Sequence, residues 1–171
     1  GFFNAVEINS TYYRLPGKFV FYHLDKKTPE DFEFIVKLNG ETTHGNKRNL
    51  EAVSSLIEVV HPLTESGKLR GFLGQFPWSF KLSKNNLEFL SEVKKTCGRI
   101  PLFVEFRHSS WDRNEVYDFL KENHIGYSCV DEPDLRGLIK PQHIATSETG
   151  YIRFHGRNSE TWWDSSKGDR Y

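Results

Sequence analysis

The sequence predicts an α/β fold of the TIM type, a (β/α) barrel present here in part, and three observations carry that prediction. Candidate strands recur at intervals of roughly 25 to 35 residues, mostly with helical patterns between them, the spacing of parallel strands joined by right-handed crossovers. Each strand is apolar on one parity and polar on the other. The polar residues gather late in each strand, at the end where such a barrel carries its chemistry. An open doubly wound sheet, buried on both faces, would favour near-continuous apolar strands instead.

Taken in order, Ala5 to Asn9 reads as a strand with Val6 and Ile8 on one face and Glu7 and Asn9 on the other. Ser10-Thr11-Tyr12-Tyr13 follows as a loop, and Lys18 to Asp25 as a short helix stopped by Thr28-Pro29. Phe32 to Leu38 is the next strand, with Phe34, Val36 and Leu38 outward and Ile35 and Lys37 inward. The polar stretch Asn39 to Gly45 reads as a loop. From Asn49 to Thr64, Leu50, Val53, Leu56, Ile57, Val60 and Leu63 recur at helical spacing and define a buried stripe.

Gly67 closes that unit, and Leu69 to Phe76 is a strand with Gln75 inward. Ser83 is positioned to cap a helix that runs to Cys97 and stops at Gly98, with Leu87, Leu90 and Val93 buried. Leu102 to Arg107 is the most informative strand: Leu102, Val104 and Phe106 face outward, whereas Phe103, Glu105 and Arg107 face in. Asn114 to Asn123 is a helix with Val116, Phe119 and Leu120 on its core face. Gly126 to Asp131 is a strand with Tyr127, Cys129 and Asp131 inward. Tyr151 to Arg157 is the last, with Arg153 and His155 inward.

Residues 1–171 form one predicted domain, long enough for a sizeable core. Lys plus Arg and Asp plus Glu both number 23, so no basic footprint argues for nucleic acid as a partner. No apolar run approaches about 18 residues, which argues against a membrane span. Cys97 and Cys129 show no metal or redox spacing and are expected to be buried and reduced, as in a cytoplasmic protein. The chain lacks Met altogether and begins within a few residues of a strand, so a fragment of a larger barrel is expected, its first and last strands missing. No glycine-rich phosphate loop of the G-x-G-x-x-G or P-loop kind is present.

The inward, late-strand set comprises Glu7, Asn9, Lys37, Gln75, Glu105, Arg107, Asp131, Arg153 and His155, with Thr43, His44 and Arg157 on adjacent loops. Charges confined in a barrel mouth must pair with each other, reach water or meet a ligand. Lys37, Arg107, Arg153 and Arg157 suit an anionic small molecule, because guanidinium forks match phosphate and carboxylate oxygens. Glu105, His155, Glu7 and Asp131 are the candidate catalytic groups, with His155 foremost because imidazole titrates near neutrality. Asn9, Gln75, His44 and Trp111 complete the candidate ligand-binding set. A self-satisfied salt-bridge network is the competing expectation. His44, His155, Glu105 and Asp131 also offer ligands for a divalent metal, but without any His-x-His or HExxH spacing. Trp111 and the pair Trp162-Trp163 could stack on a sugar or base, or simply pack the barrel rim.

Several motifs then point to one family. Val6-Glu7-Ile8-Asn9-Ser10-Thr11-Tyr12-Tyr13, Thr43-His44, Gln75-Phe76-Pro77, Val104 to Trp111 and Arg153-Phe154-His155-Gly156-Arg157 together resemble the DUF72 (YecE-like) family. The resemblance runs in order along the whole chain. It implies a TIM-type barrel in a cytosolic, mostly microbial protein, and it implies no particular activity. Family members typically open on a strand with a Gly-x-Ser-x-Trp-like stretch and finish on one with a Phe-Asn-Asn-like stretch, both absent here. Trp78 stands where many members carry a second proline after Gln-Phe-Pro.

The chemistry expected of this set is hydrolysis or elimination on an anionic small molecule, with Arg and Lys holding the anion and Glu105 and His155 exchanging protons. A barrel that binds an anion without turning it over, and a metal-dependent phosphodiesterase or nuclease, are the alternatives.

Overall fold

Three parallel strands organise the first of two units into which the chain divides in the computed structural model, which describes residues 2–17, 19–45, 48–160 and 162. This unit comprises Gly1–Gln75 and Glu88–Leu102; the second comprises Phe76–Leu87 and Phe103–Tyr171. Its strands are β1 (Ala5–Ile8), β2 (Glu33–Lys37) and β3 (Leu69–Gln75), in that order, with Val6 opposite Phe34 and Val36 opposite Phe72. Helix α1 (Phe19–Lys27) links β1 to β2. A short α2 (Gly40–Thr43) and the longer α3 (Glu51–Glu65) link β2 to β3.

The stripe predicted on α3 is the core of this unit. Val53, Leu56, Val60 and Leu63 are buried with Ala52, and so are Phe34, Val36 and Leu38 on the predicted outward parity of the second strand. Burying each such side chain contributes about 1.5–3 kcal/mol. Helix α1 packs on α3 and inserts Phe21, which has no exposed surface.

Gly67, at φ +73°, ends α3 in the left-handed conformation. There the Gly67 N–H donates to the Thr64 carbonyl and the Lys68 N–H to that of Leu63, satisfying carbonyls the helix leaves open. Lys68 then turns inward and donates from Nζ to the carbonyls of Asp25 (2.7 Å) and Thr28 (3.0 Å) at the end of α1. It also pairs with the Asp25 carboxylate at 3.1 Å.

The second unit holds Phe103–Glu105 of β4 (Leu102–Glu105), with β5 (Ile125–Asp131) and β6 (Tyr151–Phe154) following in order. Strands β5 and β6 are parallel, with Ser128 opposite Tyr151 and Asp131 opposite Phe154. Helix α5 (Asn114–Glu122) joins β4 to β5. The helix α4 (Lys84–Cys97) starts as expected at Ser83, whose Oγ accepts from the Asn86 N–H at 3.2 Å.

Several boundaries differ from the sequence reading, each for a local reason. The stretch Asn39 to Gly45 is not all loop, because the Asn39 side chain accepts from the Glu41 N–H and starts α2. Strand β1 stops at Ile8: Asn9 already has helical dihedrals and precedes a 3₁₀ turn at Ser10–Tyr12, so it is exposed and not an inward strand residue. Strand β6 stops at Phe154, although the His155 N–H still donates to the Asp131 carbonyl at 2.9 Å. On α5, Tyr117 is buried with Val116 and Leu120, and Phe119 is only half-buried. Lys18, Trp163 and Tyr171 lie outside the described residues. Both cysteines are free and buried, and burial pushes the Cys97 thiol up to about 12.

Candidate functional site

In the second unit, charged groups converge on the last residue of β4. The Glu105 side chain has no exposed surface, and three cationic or titratable partners surround its carboxylate. Arg153, from β6, donates to Oε2 in a short hydrogen bond. Arg107 Nη2 lies 3.0 Å from Oε1, and His155 Nε2 lies 3.2 Å from the same oxygen. Parity explains why they meet: Glu105 and Arg107 are two residues apart on one chain segment, Arg153 and His155 on another. Burial opposes ionisation of Glu105, yet the His155 hydrogen bond and the Arg107 and Arg153 charges hold it well below the usual carboxylate range.

His155 is the crowded member of the group. Its Nε2 lies 3.4 Å from Arg107 Nη2 and 3.4 Å from Arg153 Nη1, besides its contact with Glu105. Trp162 covers this side, its ring 5.5 Å from the Arg107 guanidinium and edge-on to the His155 ring. The side chains of Arg107, Arg153 and His155 remain 17%, 14% and 11% exposed, so all three keep a face that a small molecule can reach.

Glu132 also belongs to this group, and parity reasoning missed it. Its side chain is fully buried and its Oε2 accepts from Arg107 Nη1 at 2.6 Å. Its Oε1 is buried with no hydrogen-bond partner among the described residues. Burial pushes Glu132 up to about 7 against the pull of Arg107, and the neighbouring Glu105 charge adds to the rise. The predicted strand ends at Asp131, as β5 does, so Glu132 falls in the segment that follows, where parity assigns no side. The available signal was a second carboxyl directly after Asp131 and before a proline.

Asp131 does not share this cluster's partners. It binds Arg157 through both oxygens, at 2.9 and 3.1 Å, and Arg157 is largely exposed. Both line an open cavity of about 510 Å³ with Glu132, Asp134, Lys140 and Ser159.

Trp111, expected among the ligand-binding residues, is instead core. It has no exposed surface, stacks on Phe106 at 4.1 Å and on Phe80 at 5.3 Å, and donates from its indole N–H to the Phe80 carbonyl at 2.6 Å. A ring with no exposed surface offers no face to a sugar or base.

Glu7, Asn9, Lys37, Gln75, Thr43 and His44 belong to the first unit. There Lys37 donates from Nζ to Gln75 Oε1 at 2.5 Å and lies 4.8 Å from the centre of the Tyr12 ring. Tyr12 meets the His44 ring edge-on, and His44 Nδ1 is 2.9 Å from Thr43 Oγ1. The Thr11 hydroxyl donates to the Lys37 carbonyl at 2.6 Å, and Asn39 Nδ2 to the Thr11 carbonyl at 3.0 Å, tying the 3₁₀ turn to the end of β2. A Cβ at Gly40 would press on the Tyr12 ring at 3.1 Å, so glycine fits that approach. Glu7 is half-buried on β1. His23, His61, His124 and His143 are exposed, as surface residues were expected to be.

Among the described residues no group of three or more His, Cys, Asp or Glu is placed to hold a metal ion. No helix among them is long and apolar enough to cross a membrane.

Parallel strands alternating with helices, and buried charges gathered just past the strand ends, define an α/β protein with a polar cluster at its strand C-termini. The chain belongs to the DUF72 family, described as a protein of unknown function, whose family model matches residues 1–171. It is 32% identical to the UPF0759 protein YunF of Bacillus subtilis (strain 168) over 99% of its own length and 64% of that protein's. Among solved structures it resembles a DUF72 family protein (TM1631) of Thermotoga maritima MSB8, with a TM-score of 0.85 and 42% identity. That match covers 95% of this chain and 63% of the other. A DUF72 family protein (EF0366) of Enterococcus faecalis V583 matches with a TM-score of 0.87 and 29% identity, over 94% of this chain and 63% of the other. The chain thus spans 64% of YunF and 63% of each of these two structures.

Proposed function

We propose that this chain is part of a TIM-type barrel that acts as a hydrolase or lyase on an anionic small molecule, bearing phosphate or carboxylate, at the C-terminal ends of its strands. The observation that supports the reading best is the convergence of Arg107, Arg153 and His155 on the buried Glu105. Two guanidiniums share one strongly ionised carboxylate, and the other partner of Arg107, Glu132, ionises only near neutrality. Guanidinium forks match phosphate and carboxylate oxygens, and Arg107 and Arg153, each partly exposed, are the groups that would hold the anion.

In this reading Glu105 stays ionised and orients the imidazole, while His155 exchanges the proton with the substrate. The pair works as a unit, the carboxylate fixing the orientation of the ring. The two unpaired, buried cysteines favour a cytoplasmic location for the whole protein.

The saturation of Glu105 by three partners favours a second reading, a barrel that binds its anion without turning it over. His155→Asn separates the two: an enzyme loses turnover and keeps its affinity, whereas a binder has no turnover to lose. The prior test is a thermal-shift screen of the full-length protein against phosphates, sugar phosphates, nucleotides and divalent metals. Anions are expected to raise Tm in the parent protein and to fail in Arg153→Ala. A flat response across the panel overturns both readings.

A further inference from the structure

Glu132 is the one member of the cluster whose surroundings are unbalanced. Its Oε2 is held by Arg107, and its Oε1 is sealed from solvent with no partner among the described residues. The Ile139 backbone adds a small pull toward the ionised form, the weakest of the influences on this carboxyl. A buried carboxylate with one oxygen unsatisfied is costly, and in practice such a group gains a proton when its counter-charge is withdrawn. Arg107 is that counter-charge, and Glu132 shares it with Glu105.

An anion that docks on Arg107 therefore competes with Glu132 for the same guanidinium. We infer that Glu132 is a positioning residue that takes up a proton when an anion binds at Arg107, so that anion binding and protonation of Glu132 are one coupled event. The inference rests on the anion reading above and adds to it a second titrating group and a defined pH dependence. The proton comes from solvent. No bond other than the O–H of the Glu132 carboxyl is made.

The charged neighbours of Glu132 among the described residues each have a place in this coupling. Arg107, in the loop after β4, favours its ionised form, and Glu105 on β4 opposes it. Arg153 and His155, from β6 and the residue after it, stand behind Arg107 and fix it from the Glu105 side. Asp131 is neutralised by Arg157, whereas Lys140 and Asp134 stand at the cavity wall with opposite charges. Adding an anion to Arg107 cancels the one strong attraction that keeps Glu132 ionised and sets a second negative charge beside it. Both effects push toward the protonated form. Affinity for the anion should therefore fall as pH rises, since at higher pH Glu132 holds Arg107 more firmly.

Sulfate is a suitable probe because it does not itself titrate near neutrality. Calorimetric titration of the full-length protein with sodium sulfate at pH 8, where Glu132 of the free protein is mostly ionised, in two buffers of different ionisation heat, is expected to report up to one proton taken up per sulfate bound. Across pH 7 to 9 the affinity should drop by up to about tenfold per pH unit, the limit for one linked proton. In Glu132→Gln, an uncharged isostere, sulfate should bind more tightly than to the parent at pH 8, with the drop flattened.

Sulfate binding to the parent with no proton uptake overturns the inference without any variant. Glu132→Gln with the parent's full uptake and pH slope overturns it too. Either result leaves the anion reading standing. Absence of sulfate binding in both proteins at every pH overturns the anion reading and this inference together.

Discussion

Arg107 joins Glu105 to Glu132: its Nη2 lies 3.0 Å from one carboxylate and its Nη1 2.6 Å from the other. The two acids meet the same guanidinium with opposite outcomes. Glu105 adds Arg153 and His155 and is held strongly ionised, whereas Glu132 has no partner for Oε1 among the described residues and burial raises it to about 7. One arginine thus separates two buried carboxyls into a permanent anion and a group poised to change charge. Environments that push paired titratable groups apart in this way are frequent at functional sites.

Glu105→Gln should destabilise the protein markedly, because it leaves Arg107 and Arg153 with less counter-charge in a mostly buried place. Breaking a buried pair by removing one partner costs about 3–5 kcal/mol. Urea unfolding of parent and variant should show a lower midpoint with an unchanged slope. A loss under about 1 kcal/mol would mean that water already screens the cluster.

Trp111→Ala should cost about 3–5 kcal/mol, the range for emptying a large aromatic site in a core. Trp111→Phe should cost less, since stacking on Phe106 and Phe80 survives and only the hydrogen bond to the Phe80 carbonyl is lost. Neither change should alter the anion-dependent rise in Tm. An altered response in Trp111→Phe would restore the residue to the ligand-binding set.

Legibility from sequence divides along physical lines. The helix stripes on α3 and α4 and the caps at Ser83 and Gly67 follow from local periodicity and turn chemistry, which a sequence states directly. The convergence of Glu105, Arg107, Arg153 and His155 was also legible, because strand parity fixes which side a residue takes. Parity fails once a strand ends. It therefore misplaced Asn9, which has already entered a 3₁₀ turn, and passed over Glu132, which sits one residue beyond β5. Trp111 escaped for another reason: a loop aromatic reads alike whether its faces meet a ligand or Phe80 and Phe106. Only packing distinguishes them.

Lys68→Met should destabilise the first unit through the end of α1. The ammonium satisfies the Asp25 and Thr28 carbonyls and pairs with the Asp25 carboxylate, and Lys68 is only 6% exposed. Methionine fills similar space but donates nothing, so these acceptors lose their partner at about 1–3 kcal/mol for each one left buried. Hydrogen exchange should show the amides of α1 opening more readily in the variant. Unchanged protection there would sink this account of how α1 is held.

The pH dependence of stability follows from the same two acids with opposite signs. Glu105 is held below its unfolded value, so its contribution is present above about pH 4.5 and is lost as pH falls below it. Glu132 is raised from 4.5 to about 7, so its contribution is present in full below about pH 4.5 and is lost as pH climbs toward 7. A rise of that size corresponds to at most roughly 3 kcal/mol. The parent should therefore lose stability between about pH 5 and 7, in a range where ordinary surface carboxylates are already ionised. Glu132→Gln should remove that slope and leave the acid-side loss from Glu105 intact. Tm measured from pH 4 to 8 on both proteins reads this directly, and parallel curves would show that Glu132 does not titrate in that range.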